Sequence, residues 1–192
     1  DGIKASKKTL LVLPGGGYGF VSDRESDPIA LNFMVRGFNV FVLKYSVVPF
    51  EFPYPAVEAF AAIAFIKSHA QEFNVTDLNI SVMGFSAGGH LAGTLAAYCR
   101  DEFYANYLNV SLEDIKVYKT VLCYPVITMG PETHCGTKDN ITHGEEKLAE
   151  YYSIEKHVTK DFPPTFIWTT KTDQCVPFQH SKIMSLALKR NN

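Results

Sequence analysis

The sequence has few cysteines, no long apolar run and no excess of charge of either sign. Its four cysteines, Cys99, Cys123, Cys135 and Cys175, are scattered with no C-x-x-C pair, which excludes a disulfide-stapled scaffold. Zinc sites need close Cys and His pairs. His134-Cys135 is the only adjacent pair, and neighbouring positions make a poor two-ligand clamp. The cysteines read as reduced, which favours a cytoplasmic location. No apolar run approaches the roughly 20 residues of a membrane helix; the longest, residues 59–66, reads as a buried helix. No secretory signal is visible. The chain starts at Asp1 rather than Met, so further residues are expected upstream and the lack of a leader carries little weight. The formal net charge is −2, without the basic stripe that marks a nucleic-acid binder. Lys4, Lys7, Lys8 and the Lys189-Arg190 pair sit at the chain ends and read as solvated termini.

With 46% hydrophobic and 20% charged residues, the composition is that of an ordinary globular chain. The length suits one domain, residues 1–192, with a sizeable core. Strands and helices alternate without repeat or linker. Residues 9–13 form an apolar strand stopped by Pro14 and three glycines. A helix follows from about Asp27, with Pro28 in its first turn, Ile29, Ala30, Phe33 and Met34 on one face, and Gly37 at its end. Further strands are expected at 38–43, 78–83, 117–123 and 165–169, and helices at 56–73, 87–99, 145–152 and 178–189. Residues 128–144 read as a polar loop. Strands separated by helices imply a parallel sheet covered on both faces. The unusual loops after Leu13, Met83 and Thr170 all follow strands, so they share the carboxyl edge where such sheets bind ligands.

Gly84-Phe85-Ser86-Ala87-Gly88 lies between the third strand and the next helix. Gly-x-Ser-x-Gly in that setting is the nucleophile elbow: the serine takes a strained backbone, the glycines leave room, and the hydroxyl is held out at the sheet edge. The helix behind it favours developing negative charge. Ser86 is the candidate nucleophile; the competing reading is a glycine-rich helix start with Ser86 as its N-cap. Pro14-Gly15-Gly16-Gly17-Tyr18-Gly19 follows the first strand. An acyl-transfer intermediate carries an oxyanion that needs backbone N–H donors, and glycines let the backbone approach. The run resembles the His-Gly-Gly-Gly loop of lipases and esterases, with Pro14 in place of His. The candidate oxyanion donors are Gly16 and Gly17, together with Ala87. A flexible turn or a phosphate loop are the alternatives, and the Gly-Lys-Ser/Thr of the latter is absent. Tyr18 and Tyr124 both follow strands and are candidate pocket walls or packing aromatics. Arg24 and Glu25 are candidates to pair and brace the glycine loop.

Asp173 follows the fifth strand, where the acid of a Ser, acid, His order belongs. It would orient a histidine and stabilise its imidazolium; an Asp in such a place also serves as a turn residue or cap. The histidine itself is missing. Only His180 follows, inside the last predicted helix, and it reads as a surface or packing residue. His90, one turn past Ser86, reads as a structural histidine bonded to backbone. His69 sits near a helix end, where positive charge is welcome. His134, His143 and His157 precede Asp173. The base is expected beyond Asn192, after one further strand, and the fifth strand is expected to be an exposed sheet edge.

Together with Ser22-Asp23-Arg24-Glu25, Tyr54-Pro55, Gly89-His90-Leu91-Ala92, Tyr124-Pro125-Val126-Ile127 and Pro163-Pro164-Thr165-Phe166, these segments resemble the acetyl-esterase and acetyl xylan esterase-like branch of the α/β-hydrolase superfamily, related to the hormone-sensitive-lipase-like esterases. The resemblance spans nearly the whole chain. It implies an α/β class, α/β-hydrolase fold, a mostly parallel sheet with helices on both faces. Ser86 and Asp173 match the family's triad and its histidine has no counterpart. The five strands correspond to the third through seventh of the family's eight, so the domain is expected to be truncated at both ends, lacking the last strand and the histidine loop. The resemblance implies hydrolysis of short acyl esters, often acetyl groups on sugars or xylo-oligosaccharides, with no metal or cofactor. The same fold also serves amide, formamide and peptide hydrolases, and a chain without its base is compatible with a non-catalytic binding protein; an intact Ser86, Asp173 and glycine loop favour an enzyme. The expected partner is a small-molecule or oligosaccharide ester, with neither nucleic acid nor membrane. Oligomeric state stays open, a homo-oligomer included.

Overall fold

Short runs of β-branched and aliphatic residues build the sheet. In a computed structural model, which describes residues 8–191, five strands pair in parallel: β1 (Thr9–Leu13), β2 (Asn39–Val42), β3 (Ile80–Phe85), β4 (Lys119–Cys123) and β5 (Thr165–Trp168), in the order β2-β1-β3-β4-β5. The helices between and after them are α1 (Asp27–Met34), α2 (Tyr54–Ser68), α3 (Ala87–Tyr98), α4 (Glu102–Leu108), α5 (Cys135–Thr142), α6 (Glu146–Tyr151) and α7 (Gln179–Asn191), with 3-10 turns at Asp23–Glu25 and Ile154–His157. Lys4 and Lys7 lie outside the described residues. Among those residues, no helix is long and apolar enough to cross a membrane.

Strand alternation divides the core in two. Leu11, Leu13, Ile80, Val82 and Leu122 face α2 and α3 in the larger cluster, which also takes in Met184 of α7. Leu10, Val12, Met83, Phe85 and Cys123 face the other way, toward Ile29 and Phe33 of α1. Helices therefore cover both faces, as expected. Met34 does not join the α1 face; it is exposed.

Four regions depart from the sequence reading, one of them α4, which no expected helix covers. β3 starts and ends two residues later than expected, so Gly84 and Phe85 are paired strand residues that lead straight into Ser86. The 56–73 segment is helical only to Ser68 and then turns to Asn74, at φ +56. The 128–144 stretch is not all loop, because it contains α5. β5 is an edge of the sheet, with Phe166 and Trp168 exposed on it. All four cysteines are free.

Candidate active site

Register brings the expected loops together. Leu13 pairs with Gly84, Phe85 with Cys123 and Cys123 with Trp168. β1, β3, β4 and β5 therefore end at one edge, with β3 between β1 and β4.

Ser86 joins β3 to α3 at φ +52, ψ −117. That left-handed backbone is strained for a side-chain-bearing residue, by roughly 1–3 kcal/mol. The surroundings impose it. Ser86 N–H donates to the Cys123 carbonyl at 3.0 Å, and its carbonyl accepts from the N–H groups of His90 at 3.1 Å and Val126 at 3.0 Å. A Cβ at Gly84 would run into the Gly88 carbonyl, and one at Gly88 into the carbonyls of Leu13 and Pro14. The half-buried Ser86 side chain does not cap α3, and its hydroxyl has no hydrogen-bond partner among the described residues.

The glycine loop runs alongside. Gly16, Gly17 and Tyr18 take φ of +131, +64 and +60, a run of left-handed residues that two glycines make accessible. A Cβ at Gly15 would lie 2.9 Å from the Ser86 Cβ, so loop and serine touch. Among the described residues, the N–H groups of Gly16, Gly17 and Ala87 donate to nothing. The Ala87 N–H also sits at the positive end of the α3 dipole. Free N–H donors beside a free hydroxyl are what an acyl-transfer site needs to hold a developing oxyanion. The outer side of the loop rests on α5, where Asn140 Nδ2 donates to the Gly17 carbonyl at 2.9 Å. Sequence reading missed Asn140 because α5 carries little apolar periodicity; its one signal was His134, which caps the helix by accepting from the Thr137 N–H.

Two expectations near this loop are corrected. Tyr18 is not a pocket wall. The left-handed run turns its ring inward, where it is 2% exposed and packs on Tyr45, Phe52 and His90. Arg24 and Glu25 do not pair. The Glu25 carboxylate instead accepts from the Gly15 N–H at 2.7 Å and the Tyr124 hydroxyl at 2.8 Å. Glu25 does brace the loop, through backbone rather than through Arg24.

Tyr124 is half-buried at φ +36, with its ring edge-on to Trp168 at 5.1 Å. Burial first, then the Glu25 carboxylate, pushes its phenol well above the ordinary range, so the hydroxyl remains a donor. Asp173 lies just past β5. Its Oδ1 accepts from the N–H groups of Cys175 and Val176, both at 2.9 Å, while Oδ2 has no partner among the described residues. Its charge is felt at Tyr124.

Among the described residues, no histidine side chain bonds to the Ser86 hydroxyl or to the Asp173 carboxylate. His90 is buried, with Nδ1 against the Tyr18 hydroxyl and Nε2 against the Tyr152 carbonyl, each at 2.8 Å; it is the structural histidine expected. His180 packs inside, its Nδ1 accepting from the Ile127 N–H at 2.8 Å. His134 caps α5, His69 bonds within its own helix end, His157 meets the Tyr151 carbonyl and His143 approaches Glu51. Among the described residues, no three His, Cys, Asp or Glu side chains converge as a metal cage.

A parallel sheet with a strained serine at the end of its central strand is the architecture of an α/β hydrolase. The chain belongs to one family of that class: the BD-FAE family profile matches residues 2–188. An endo-1,4-β-xylanase B of Butyrivibrio fibrisolvens is 36% identical over 190 residues, covering 94% of this chain and 29% of that protein. An acetylxylan esterase of Xylanibacter ruminicola is 25% identical over 193 residues, covering 97% of this chain and 38% of that one. The chain thus spans well under half the length of these two curated relatives. Among solved structures, an acetyl ester-xyloside bifunctional hydrolase from Caldicellulosiruptor lactoaceticus superposes with a TM-score of 0.85 at 34% identity, over 96% of this chain and 69% of that one.

Proposed function

We propose that this chain carries the reacting centre of a serine carboxylesterase that removes short acyl groups, acetyl foremost, from sugars such as xylo-oligosaccharides. The observation that carries the reading is Ser86: a strained residue at a helix N-terminus, in touch with the glycine loop, whose hydroxyl, like the N–H groups of Gly16, Gly17 and Ala87, has no partner among the described residues. The names of the relatives, an acetylxylan esterase and an acetyl ester-xyloside hydrolase, support the substrate class.

In this reading Ser86 Oγ attacks the acyl carbon while a histidine takes its proton. The carbonyl oxygen becomes an oxyanion held by the N–H groups of Gly16, Gly17 and Ala87. The intermediate then expels the sugar alcohol, which leaves with that proton. Water, deprotonated by the same histidine, cleaves the acyl-enzyme and releases the acid. Asp173 orients that histidine through Oδ2, the carboxylate oxygen without a partner among the described residues.

The test is hydrolysis of p-nitrophenyl acetate and acetylated xylo-oligosaccharides by the full-length protein. Wild type turns both over, and Ser86→Ala loses activity by a factor of about 10⁴ or more. Undiminished turnover by Ser86→Ala would sink the reading.

A further inference from the structure

The Glu25 carboxylate reaches two loops at once. Oε2 accepts from the Gly15 N–H at 2.7 Å, and Oε1 from the Tyr124 hydroxyl at 2.8 Å. Gly15 opens the loop after β1 and Tyr124 opens the loop after β4, and these strands flank β3. The carboxylate therefore spans the end of the central strand, behind Ser86. A bare negative charge beside an oxyanion site would oppose the reaction. Two donors hold this one in charge-assisted hydrogen bonds, which offset part of its charge. Holding the Gly15 N–H fixes the peptide plane between Pro14 and Gly15, and so the direction in which the chain leaves toward Gly16 and Gly17. At the other end, Tyr124 N–H donates to the Trp168 carbonyl at 2.7 Å, so β5 is tied into the same network.

We propose that Glu25 is a positioning residue for ester hydrolysis: its carboxylate clamps Gly15 to Tyr124 and thereby aims the Gly16 and Gly17 N–H groups at the oxyanion. This rests on the esterase reading above. The clamp acts on the transition state, because the oxyanion forms only there.

The experiment compares full-length wild type, Glu25→Gln and Tyr124→Phe on p-nitrophenyl acetate, with thermal midpoints and the affinity of a trifluoromethyl ketone that forms a tetrahedral adduct on the serine. Glu25→Gln keeps the shape but retains one acceptor oxygen for two donors. Its kcat is expected to fall about 10- to 100-fold with KM within about threefold. Ketone affinity should fall in step with kcat/KM. Tyr124→Phe, which spares the Gly15 bond, should lose less. A role confined to stability would lower the thermal midpoint and leave ketone affinity at the wild-type value, which overturns the proposal. So does wild-type kcat in Glu25→Gln. If that variant does not fold, Tyr124→Phe decides: a several-fold loss of kcat at constant KM supports the clamp, and no loss overturns it. A wild type without esterase activity overturns both readings, whereas an active wild type matched by Glu25→Gln overturns only this one.

Discussion

The Tyr18 hydroxyl and His90 Nδ1 lie 2.8 Å apart in the core, and on the far side of the imidazole Nε2 lies 2.8 Å from the Tyr152 carbonyl. A carbonyl can only accept, so Nε2 carries the proton and Nδ1 accepts from the tyrosine. Tyr18 belongs to the glycine loop and His90 to α3, so this relay ties the loop to the helix behind Ser86.

Replacing Tyr18 with Phe keeps the ring contacts with Tyr45 and Phe52, at 5.7 and 5.9 Å, and removes only the hydroxyl. The buried Nδ1 is then left without a donor, which costs about 1–3 kcal/mol. Urea unfolding should show a lower midpoint at unchanged slope. A midpoint equal to wild type would mean the relay contributes nothing.

The same histidine makes stability depend on pH. Burial holds the His90 pKa down to about 4 from its ordinary 6.5, and burial also lowers that of His180. Below about pH 6.5 the unfolded chain takes up protons that the folded chain refuses. The stabilisation is therefore complete above that pH and lost as pH falls toward 4. For His90 alone the full shift corresponds to about 3 kcal/mol. Unfolding midpoints should already decline between about pH 6.5 and 5, above most carboxylate titrations. The His90 ring resonance should stay flat over that interval; a titration near 6.5 would contradict the buried, neutral assignment.

Most of this scaffold is readable because its signals are local. β1 matches its expected bounds, since an apolar run closed by Pro14 and glycines has one reading. The elbow is equally plain, because strand, Gly-x-Ser-x-Gly and helix are contiguous. What escaped depends on distant partners or weak periodicity. α4 buries only Tyr104 and Ala105, and α5 only Thr137, Ile141 and Thr142, so neither shows an apolar stripe. Their caps were the available clues: the Asp101 side chain accepts from the Phe103 N–H and Asn109 ends α4 in the left-handed region. Glu25 meets Tyr124 across 99 positions, a contact that no local pattern encodes. Tyr18, open between pocket wall and packing aromatic, is the latter because its direction is set by three successive backbone angles rather than by its place after a strand.

The strain at Ser86 has its own consequence. Glycine adopts φ +52, ψ −117 without the Cβ penalty. Ser86→Gly removes roughly 1–3 kcal/mol of strain and gives back about 0.5–1 kcal/mol through a more flexible unfolded chain. The variant should be inactive yet about 1 kcal/mol more stable than wild type, whereas Ser86→Ala keeps the strain and gains none of this. A Gly variant less stable than the Ala variant by about 0.5–1 kcal/mol, the unfolded-chain cost alone, would show that the site stores no strain.

Asp173 separates charge from architecture. Its Oδ1 closes the turn after β5 by accepting from the N–H groups of Cys175 and Val176, and Oδ2 has no partner among the described residues. Asparagine can keep the first role, with its amide oxygen on the two N–H groups, but presents NH₂ where the carboxylate offered an acceptor. In the full-length protein Asp173→Asn should therefore fold with an unfolding free energy close to wild type. Its kcat should nevertheless fall by about 10⁴, because a histidine N–H loses its acceptor and the imidazolium its counter-charge. Asp173→Ala should lose activity to a similar extent and also about 1–2 kcal/mol of stability, through two unclosed backbone donors. If Asp173→Asn keeps kcat within about tenfold of wild type while Asp173→Ala unfolds more easily, then Asp173 is a turn residue and the acid must be sought elsewhere. The pair of variants decides between the two because the Oδ1 and Oδ2 roles fall on different atoms of one side chain.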